Sequence, residues 1–314
     1  MSNASPFARY RSPEARVRDL AKLADTARAE VHVLGESVEG RAISAVHVRG
    51  ARRDRALLVC AGIHGPEYIG VEVALGVLAR ARDSMSSLLD RADLWVVPTL
   101  NPDGYARTFE RGGVGKLHEL RRNARGVDLN RNFPLPGPLA PVLSTLDGWR
   151  TGSGDPENPF YRGAAPLSEP ETAALETLLA RVHFTASVSL HSTMGTLFPP
   201  CITSAASART YRSLCDAFTS SQKLARYRHF LGGSLDRFTG EQEDHQHHAH
   251  RTWAICVEHY PVWVEPRRFF QPNLFRRFNP PDPEPWVASD VAGVAAYFRA
   301  ALDLPPPDHE AAPS

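Results

Sequence analysis

The chain of 314 residues carries 36 lysines and arginines against 35 aspartates and glutamates, which gives a formal net charge of +1. Hydrophobic residues make up 42% of the sequence and charged residues 23%, values that are ordinary for a soluble globular protein. Because this balance provides no broad basic surface for a phosphate backbone, we predict that nucleic acid is not a partner. No apolar stretch approaches the roughly 20 residues that cross a bilayer, so we predict no membrane span.

The N-terminal residues and the cysteines bear on cellular location. Residues 1–16 lack the apolar run that precedes the cleavage site of a secretory signal, so we expect a cytoplasmic protein. The four cysteines are far apart and form no CxxC pair: Cys60, Cys201, Cys215 and Cys256. This spacing predicts neither a disulfide framework nor a thiolate zinc site. Cys60 and Cys256 are expected to be buried in strands.

The N-terminal part of the chain alternates between helix and strand patterns. Ser12 and Pro13 can cap and start a helix, whose apolar positions recur at helical spacing at Val17, Leu20, Ala21, Ala24 and Ala27. Further along we predict a hairpin over residues 31–38 and 42–48, a buried strand over 56–61, a helix over 70–82 and a buried strand over 94–98. This alternation is typical of a βαβ unit.

The pattern then becomes irregular and resumes at Ser168. We predict a turn over residues 101–104 and a long irregular segment over 106–162, which compact domains usually keep for function. Ser168 and Glu171 form a predicted capping box. The elements predicted after it are a helix, strands over 184–190 and 253–257, and a last helix over 287–302.

These elements predict the fold class and the domain organisation. We expect a single α/β domain over residues 1–304, in which a mixed, mostly parallel, twisted sheet is flanked by helices on both faces. Residues 1–30 form a predicted N-terminal helical extension within that domain. Residues 305–314 are rich in proline and are expected to be a disordered tail.

Three predicted strands end at side chains that suit metal chemistry. His64, His191 and Glu258 each follow a strand, and ligands of open α/β sheets bind beyond the carboxyl ends of the strands. His64 and Glu67 can bind one cation together, and His191 completes a His₂Glu set with an open position, as in catalytic zinc sites. The alternative is structural, with His64 and Glu67 as polar residues at a helix start and His191 as a core histidine.

A segment rich in arginine and amide side chains gives these residues a context. Residues 121–134 read Arg-Arg-Asn-Ala-Arg-Gly-Val-Asp-Leu-Asn-Arg-Asn-Phe-Pro. Between residues 61 and 259 the motifs follow in the order HGPE, an arginine, GVDLNRN, SLHS, GGSLD and a glutamate that ends a strand. In content and order this sequence resembles the zinc carboxypeptidase family, and such an ordered set rarely arises by chance.

The resemblance implies a catalytic domain that holds one zinc ion. His64, Glu67 and His191 would bind the zinc and leave one face for water, whose pKa the metal lowers. Glu258 would act as the base that takes the proton of the water and later gives it to the leaving amine. Arg121 would stabilise the oxyanion at the scissile carbonyl, and Arg122, one residue off in the family register, ranks second.

The same resemblance assigns the GVDLNRN segment to the substrate. Asn130 and Arg131 would hold the terminal carboxylate, which a planar guanidinium and an amide recognise well. A structural ion pair that fixes the long loop is the alternative role for Arg131. Asp128 would accept a hydrogen bond from a zinc-binding histidine, which the family match suggests is His64. The expected partner is therefore a peptide or peptide-like substrate with a free carboxylate.

Three features depart from the digestive members of the family or lie outside its motifs. The position of their mobile tyrosine falls at Arg228, next to Tyr227, which is a candidate substitute. The residue that lines their side-chain pocket falls at Leu235, which suggests an apolar pocket. The run over residues 245–250, His-Gln-His-His-Ala-His, is too dense for one ordered metal site and is expected to be an exposed loop, with metal binding as the alternative.

The reaction implied by the resemblance is metal-dependent hydrolysis of the C-terminal amide bond of a peptide. Residues 123–134 are also similar to bacterial murein-peptide amidases of this family, which cut the γ-D-glutamyl-diaminopimelate bond. A second interpretation is an N-acyl amino acid deacylase of the aspartoacylase and succinylglutamate desuccinylase type, which shares HGxE, Asn-Arg and LHS-like elements. A third is a non-catalytic zinc- or peptide-binding module, for which the base Glu258 has no purpose.

Overall fold

Strands from across the chain assemble into one mixed sheet. The computed structural model describes residues 5–136, 152–202, 204–230 and 239–308. Within them, eight strands pair in the order β1-β2-β4-β3-β5-β8-β6-β7. Their bounds are Glu30–Glu36 (β1), Ala42–Val48 (β2), Ala56–Ala61 (β3), Asp93–Val97 (β4), Phe184–Ser192 (β5), Thr196–Phe198 (β6), Arg228–His229 (β7) and Trp253–His259 (β8). The four central strands, β4, β3, β5 and β8, are parallel, so their carboxyl ends meet at one edge.

Ten α-helices belong to the same described ranges. Their bounds are Pro13–Thr26 (α1), Tyr68–Arg80 (α2), Ser86–Leu89 (α3), Pro102–Glu110 (α4), Leu117–Arg121 (α5), Pro170–Arg181 (α6), Ala205–Ser221 (α7), Gln242–His248 (α8), Leu274–Phe278 (α9) and Glu284–Ala301 (α10). None of the helices in these ranges has the length and apolar character that a bilayer crossing requires. Together with the mixed sheet, these helices form the predicted single α/β domain.

Alternation along the central strands divides the core into two layers. In β3, Leu57 and Val59 pack with apolar residues of α1, α2, α7 and α10 on one face of the sheet. Leu58 and Cys60 pack with α6 on the other face. The continuous apolar run of β3 is therefore explained by burial on both faces, and the prediction of helices on both faces is confirmed.

The predicted N-terminal elements are confirmed with small shifts of their ends. Ser12 caps α1, because its side chain accepts a hydrogen bond from the backbone N–H of Ala15 at 3.1 Å. The buried face of this helix differs from the prediction, however. Arg16 is buried and its guanidinium lies over the Tyr105 ring, whereas Val17 is 58% exposed. A long aliphatic stem can cover apolar surface as well as valine can.

One predicted turn and one predicted helix cap are wrong. Residues 101–104 begin helix α4 instead of forming a turn, since the Asn101 side chain caps it by accepting from the Gly104 N–H at 2.8 Å. The segment predicted to be irregular therefore contains the end of α4, all of α5 and a short 3₁₀ helix over residues 129–131. The capping box at Ser168 is replaced by Glu169 as the N-cap residue, and the Glu171 side chain accepts from Asn123 instead.

The C-terminal part of the chain closes the domain. The last helix is α10, and Cys60 and Cys256 are buried in strands as predicted. Beyond α10, the carbonyl oxygens of Pro305 and Pro307 accept hydrogen bonds from Trp253 and Arg251, respectively. The rest of the predicted tail, residues 309–314, lies outside the described residues.

Candidate active site

Four polar side chains converge at the carboxyl edge of the parallel strands. His64 lies just beyond β3, Glu67 is the N-cap residue of α2, and His191 and Glu258 lie near the ends of β5 and β8. The register of the sheet pairs His191 with Glu258 directly across neighbouring parallel strands. The topology thus brings together residues that are almost 200 positions apart in the sequence.

The spacing of three of these side chains fits a metal ion. The His64 Nδ1 atom lies 3.0 Å from Glu67 Oε1, the His191 Nδ1 atom lies 3.1 Å from Glu67 Oε2, and the two Nδ1 atoms are 3.2 Å apart. Zinc–ligand distances of about 2.0–2.1 Å place the donors of a tetrahedron about 3.3 Å apart. Three protein donors leave the fourth position open, which distinguishes a catalytic site from a structural one.

Each histidine is held through its other ring nitrogen. The His64 Nε2 atom hydrogen-bonds Asp128 Oδ1 at 3.1 Å, and the His191 Nε2 atom hydrogen-bonds Ser189 Oγ at 2.9 Å. These contacts orient the rings so that both Nδ1 atoms face Glu67. Burial lowers the pKa of His191, which favours the neutral imidazole that a metal requires. Asp128 therefore holds His64, as the sequence predicted.

The Glu67 carboxylate is kept ionised although it is buried. Burial raises its pKa, but the nearby His64 and His191 rings lower it by more, and the net shift is downward. The backbone N–H of Ser192 also donates to Glu67 Oε2 at 3.2 Å. An ionised carboxylate with two imidazole neighbours is a donor set that zinc prefers.

The turn that carries His64 and Glu67 packs tightly against the Arg121 segment. A Cβ atom at Gly65 would lie 2.3 Å from the Leu120 carbonyl oxygen and 2.4 Å from the Gly104 carbonyl oxygen. Only glycine permits this approach, in which the Gly65 N–H donates to the Arg121 carbonyl at 3.4 Å. The motif glycine thereby sets the distance between the metal-site turn and Arg121.

Arg121 points into the site, and Arg122 does not. The Arg121 Nε atom donates to Asp128 Oδ2 at 2.9 Å, and its Nη1 atom lies 3.7 Å from Glu67 Oε1. Arg122 instead donates to the carbonyl oxygens of Gly126 and Pro156, which ties its own loop together. The preference for Arg121 over Arg122 as the residue that faces the reacting centre is therefore supported by the geometry.

Glu258 has the environment of a base with one available oxygen: the Met194 backbone hydrogen-bonds its carboxylate, but the Oε2 atom is unpartnered. Burial and the negative charge of Glu67 raise its pKa to about 8, while Arg121 acts in the opposite direction. Its Oε2 atom is buried and makes no hydrogen bond to any described residue. A buried carboxylate oxygen without a protein partner is an orphan that a water or substrate proton can satisfy.

Asn130 and Arg131 lie in the short 3₁₀ helix that Asp128 caps. The Asn130 side-chain oxygen accepts from the Gln242 backbone N–H at 3.0 Å. Arg131 Nη1 donates to Glu241 at 2.8 Å, whereas its buried Nε atom has no hydrogen-bond partner among the described residues. Arg131 is thus in an ion pair, the alternative role that the sequence left open, but its guanidinium retains an unsatisfied donor.

The two candidates near the family's tyrosine position are each engaged in other contacts. The Tyr227 hydroxyl is buried in the apolar core and donates to Asp290 at 2.7 Å, and burial followed by Asp290 raises its pKa well above the usual value. Arg228 lies over the Trp263 ring, with 4.6 Å between guanidinium carbon and ring centroid. The predicted GGSLD motif and Leu235, within residues 231–238, lie outside the described residues.

The histidine-rich run is helical, so the expectation of an exposed loop is wrong. Most of it belongs to α8, in which His245 and His247 are buried. His247 hydrogen-bonds the Tyr211 hydroxyl, and His248 hydrogen-bonds the Cys201 carbonyl oxygen. The polar composition of the run indicated a loop, but its residues are buried against other elements, and these tertiary contacts stabilise the helix.

Sequence reasoning missed two residues of the site. Ser189 orients His191, and its position two residues earlier on the same strand face was a usable signal, because side chains alternate along a strand. Glu241 forms an ion pair with Arg131, which is 110 residues away in the sequence, and no local sequence pattern indicates such a contact.

Comparison with known proteins gives a consistent result. A model of the zinc carboxypeptidase family matches residues 17–266. Carboxypeptidase D of Drosophila melanogaster is 32% identical over 178 residues, which cover 52% of this chain and 11% of that protein. Metallocarboxypeptidase A of Trichophyton tonsurans is 34% identical over 165 residues, which cover 48% of this chain and 36% of that protein. The chain therefore spans well under half the length of these curated relatives.

Solved structures share the fold. Bovine thrombin-activatable fibrinolysis inhibitor, in complex with a tick carboxypeptidase inhibitor, aligns with a TM-score of 0.73 and 20% identity over 94% of this chain and 98% of that chain. Carboxypeptidase A from Helicoverpa armigera aligns with a TM-score of 0.70 and 18% identity over 96% of this chain and 77% of that chain. At such identities the likeness shows the fold alone. The family model, however, spans most of the sequence, and this chain belongs to the zinc carboxypeptidase family.

Proposed function

We propose that this protein is a zinc-dependent carboxypeptidase that hydrolyses the last amide bond of a peptide or peptide-like molecule with a free terminal carboxylate. The observation that carries the proposal is the cluster of His64, Glu67 and His191 donors at tetrahedral spacing, with Glu258 on the paired position of the neighbouring strand. The deacylase and the binding-module interpretations are not favoured, because the matched family is that of carboxypeptidases and a base is present beside the donors.

His64, Glu67 and His191 would hold the zinc ion in this mechanism. When bound, zinc supplies a Lewis acid and lowers the pKa of water toward about 7. Glu258 accepts the proton of the attacking water at its unpartnered Oε2 atom and delivers it to the nitrogen of the leaving amine. This transfer needs a carboxylate oxygen that no protein group already occupies, and Oε2 is such an oxygen.

Arg121 stabilises the negative charge that develops on the scissile carbonyl oxygen. Its side chain is fixed by Asp128 and is only 15% exposed, so the cation is in position before the charge forms. Burial lowers the pKa of Arg121, but the Asp128 and Glu67 carboxylates outweigh burial and raise it. The guanidinium therefore stays charged, and one such fixed donor is worth about 3 kcal/mol of the barrier.

Arg131 and Asn130 recognise the terminal carboxylate. The Arg131 guanidinium lies 5.8 Å from the Phe160 ring centroid and is anchored by Glu241, which leaves the rest of its fork for a ligand. A cavity of about 350 Å³ adjoins Arg131 and is lined partly by Tyr161 and Arg162. Because Phe160 and Glu241 fix the orientation of the Arg131 guanidinium, we expect it to bind a carboxylate in one defined geometry.

The pair formed by Arg131 and Glu241 also favours a particular substrate class. The side chain of diaminopimelate ends in an ammonium group, and the Glu241 carboxylate next to Arg131 offers the complementary charge while Arg131 holds the terminal carboxylate. We therefore propose murein-type peptides as preferred substrates among those with a free carboxylate. A cytoplasmic location is part of the same proposal, supported by Cys60 and Cys215, which are thiols and not disulfide-bonded.

Product identification by mass spectrometry tests this proposal. The panel contains L-peptides with free and with amidated C-termini, γ-D-glutamyl-diaminopimelate peptides and N-acyl amino acids, each with and without a chelator. We expect chelator-sensitive loss of a C-terminal residue or of diaminopimelate, and no cleavage of the amidated peptides. Release of a small acyl group would move the protein to the deacylase class.

Two matched arginine variants separate carboxylate recognition from general charge. Arg131→Ala should raise KM for free-carboxylate substrates by at least tenfold, because a charge-assisted contact is lost. Arg125→Ala, an exposed arginine of the same segment, should leave KM unchanged. Equal effects of the two variants would show that Arg131 does not bind the substrate.

A further inference from the structure

A second group of two histidines and one glutamate lies apart from the active site. His245 is in helix α8, His250 follows that helix, and Glu176 is in α6. Both imidazoles direct Nε2 toward the same carboxylate oxygen: Glu176 Oε2 is 2.7 Å from His245 and 3.2 Å from His250. The rings are nearly perpendicular, with centroids 5.0 Å apart and an interplanar angle of 84°.

The donors of this group suit a transition metal. One ligand atom from each of the three side chains lies within 4.8 Å of the others. Two imidazole nitrogens and one carboxylate oxygen are ligands that zinc and its neighbours prefer, whereas calcium and magnesium take oxygen ligands. The side chains are 7%, 18% and 27% exposed for His245, His250 and Glu176, so an ion can enter from solvent and keep water as a further ligand.

Another histidine group in the described part of the chain lacks this availability. His47 and His32 come close to Glu30. However, His47 hydrogen-bonds Asp93 at 2.8 Å, and Glu30 is paired with Arg49. An arginine that holds the carboxylate competes with a cation for it, and Glu176 makes no such ion pair with an arginine or lysine of the described residues.

We propose that Glu176, His245 and His250 form a second binding site for a divalent transition-metal ion of the zinc type. The site goes beyond the single catalytic zinc of the proposed function and does not depend on it. The ion would join α6 to α8 by bonds to both elements. The residue before α8, Glu241, anchors Arg131, and the first residue of α8, Gln242, donates to Asn130. A metal here would therefore stabilise the helix that positions the proposed carboxylate-binding residues.

Metal stoichiometry tests the proposal. The protein is dialysed against buffered zinc and then analysed by elemental mass spectrometry. We expect two ions per wild-type chain and one per chain of the His250→Ala and Glu176→Gln variants. His183→Ala is the control, because His183 is exposed and belongs to no metal-suited group of the described residues. It should retain two ions.

A second background assigns the remaining ion. A His64→Ala, His191→Ala double variant should bind one zinc, and adding His250→Ala should remove it. Zinc should also raise the Tm of that double variant, and the added His250→Ala should abolish the rise. Equal zinc content and equal Tm shifts with and without His250 would overturn the proposal.

A measurement on the unmodified protein avoids any dependence on variant folding. Crystals of the wild-type chain soaked in zinc should show an anomalous difference peak between Glu176 Oε2 and the two Nε2 atoms, as well as one at the active site. A peak at the active site alone, at a zinc concentration that saturates it, would contradict the second site.

Discussion

Replacing Asp128 by asparagine tests how far the metal site depends on one buried carboxylate. Asp128 is fully buried and serves three groups, since it accepts from His64 Nε2 at 3.1 Å, from Arg121 Nε at 2.9 Å and from the Asn130 N–H at 3.2 Å. Asparagine has nearly the same shape and keeps one acceptor oxygen, but it removes the negative charge. The variant therefore removes the charge and one of the two acceptor oxygens at nearly constant volume.

Two separate losses follow from this change. Loss of the carboxylate that orients a metal-binding histidine typically weakens metal affinity by about 10–100-fold, or about 1.4–2.7 kcal/mol. Leaving the partly buried Arg121 without its closest anion should lower the free energy of unfolding by about 3 kcal/mol, because removal of one partner from a buried ion pair costs about 3–5 kcal/mol. Arg121 keeps a weaker interaction with Glu67, 3.7 Å away, so the lower value applies.

The assay is a zinc competition titration against a chromophoric chelator, combined with urea unfolding of the metal-free protein. Asp93→Asn is the matched control, since Asp93 is also buried and pairs with His47 at 2.8 Å in the N-terminal part of the sheet. It should lose stability and retain wild-type zinc affinity. If Asp128→Asn bound zinc as tightly as Asp93→Asn does, the assignment of Asp128 as the support of His64 would be refuted.

Three further predictions concern the base and the motif glycine. Glu258→Gln should lower kcat by about 10²–10⁴-fold, the range for loss of an acid–base group, while zinc content measured on the same sample stays unchanged. In the metal-free protein the pKa of Glu258 is about 8, above its unfolded value of about 4.3, so its stabilising contribution is present below that lower pKa and lost as the pH rises through about 8. Urea unfolding from pH 5 to 9 should show this fall in the wild type and less of it in Glu258→Gln; parallel profiles would exclude the shift. Gly65→Ala should lower the free energy of unfolding by about 1–3 kcal/mol, because the added methyl group meets the Leu120 carbonyl, whereas Gly154→Ala, with open space around it, should be neutral.

The site residues that the sequence predicts are those that directly follow or end a strand recognisable from its pattern. A continuous apolar run identified β3, and a polar residue after it marked His64, because the carboxyl ends of parallel strands form binding sites. The same reasoning located His191 and Glu258. These residues needed only the correct assignment of strands, and the strand boundaries were within a few residues of those observed.

Contacts between distant loops could not be predicted in this way. The pairing of Arg131 with Glu241 depends on how residues 239–241 return to the 3₁₀ helix, which no local pattern encodes. The helix around His245 was missed for the same reason, since its polar residues resemble a loop until the tertiary partners are known. Asn101 shows a smaller error. An asparagine before a proline is typical both of a turn and of a helix N-cap, and here it caps a helix.

The pairing of His191 with Glu258 on adjacent parallel strands has a mechanical consequence. The separation of these two side chains is set by the hydrogen-bonded backbone at the centre of the sheet, the part of a domain that opens only in global unfolding. By contrast, Arg131 ends a short 3₁₀ helix and Glu241 is the N-cap residue of α8, so both lie at the ends of elements that loops connect. Under the proposed function, the reacting groups therefore lie on central strands, and the residues proposed to bind the terminal carboxylate lie at the ends of short elements. If Arg131 and Glu241 were exchanged together with their flanking loops, we would expect the recognised chain end to change while His191 and Glu258 kept their separation.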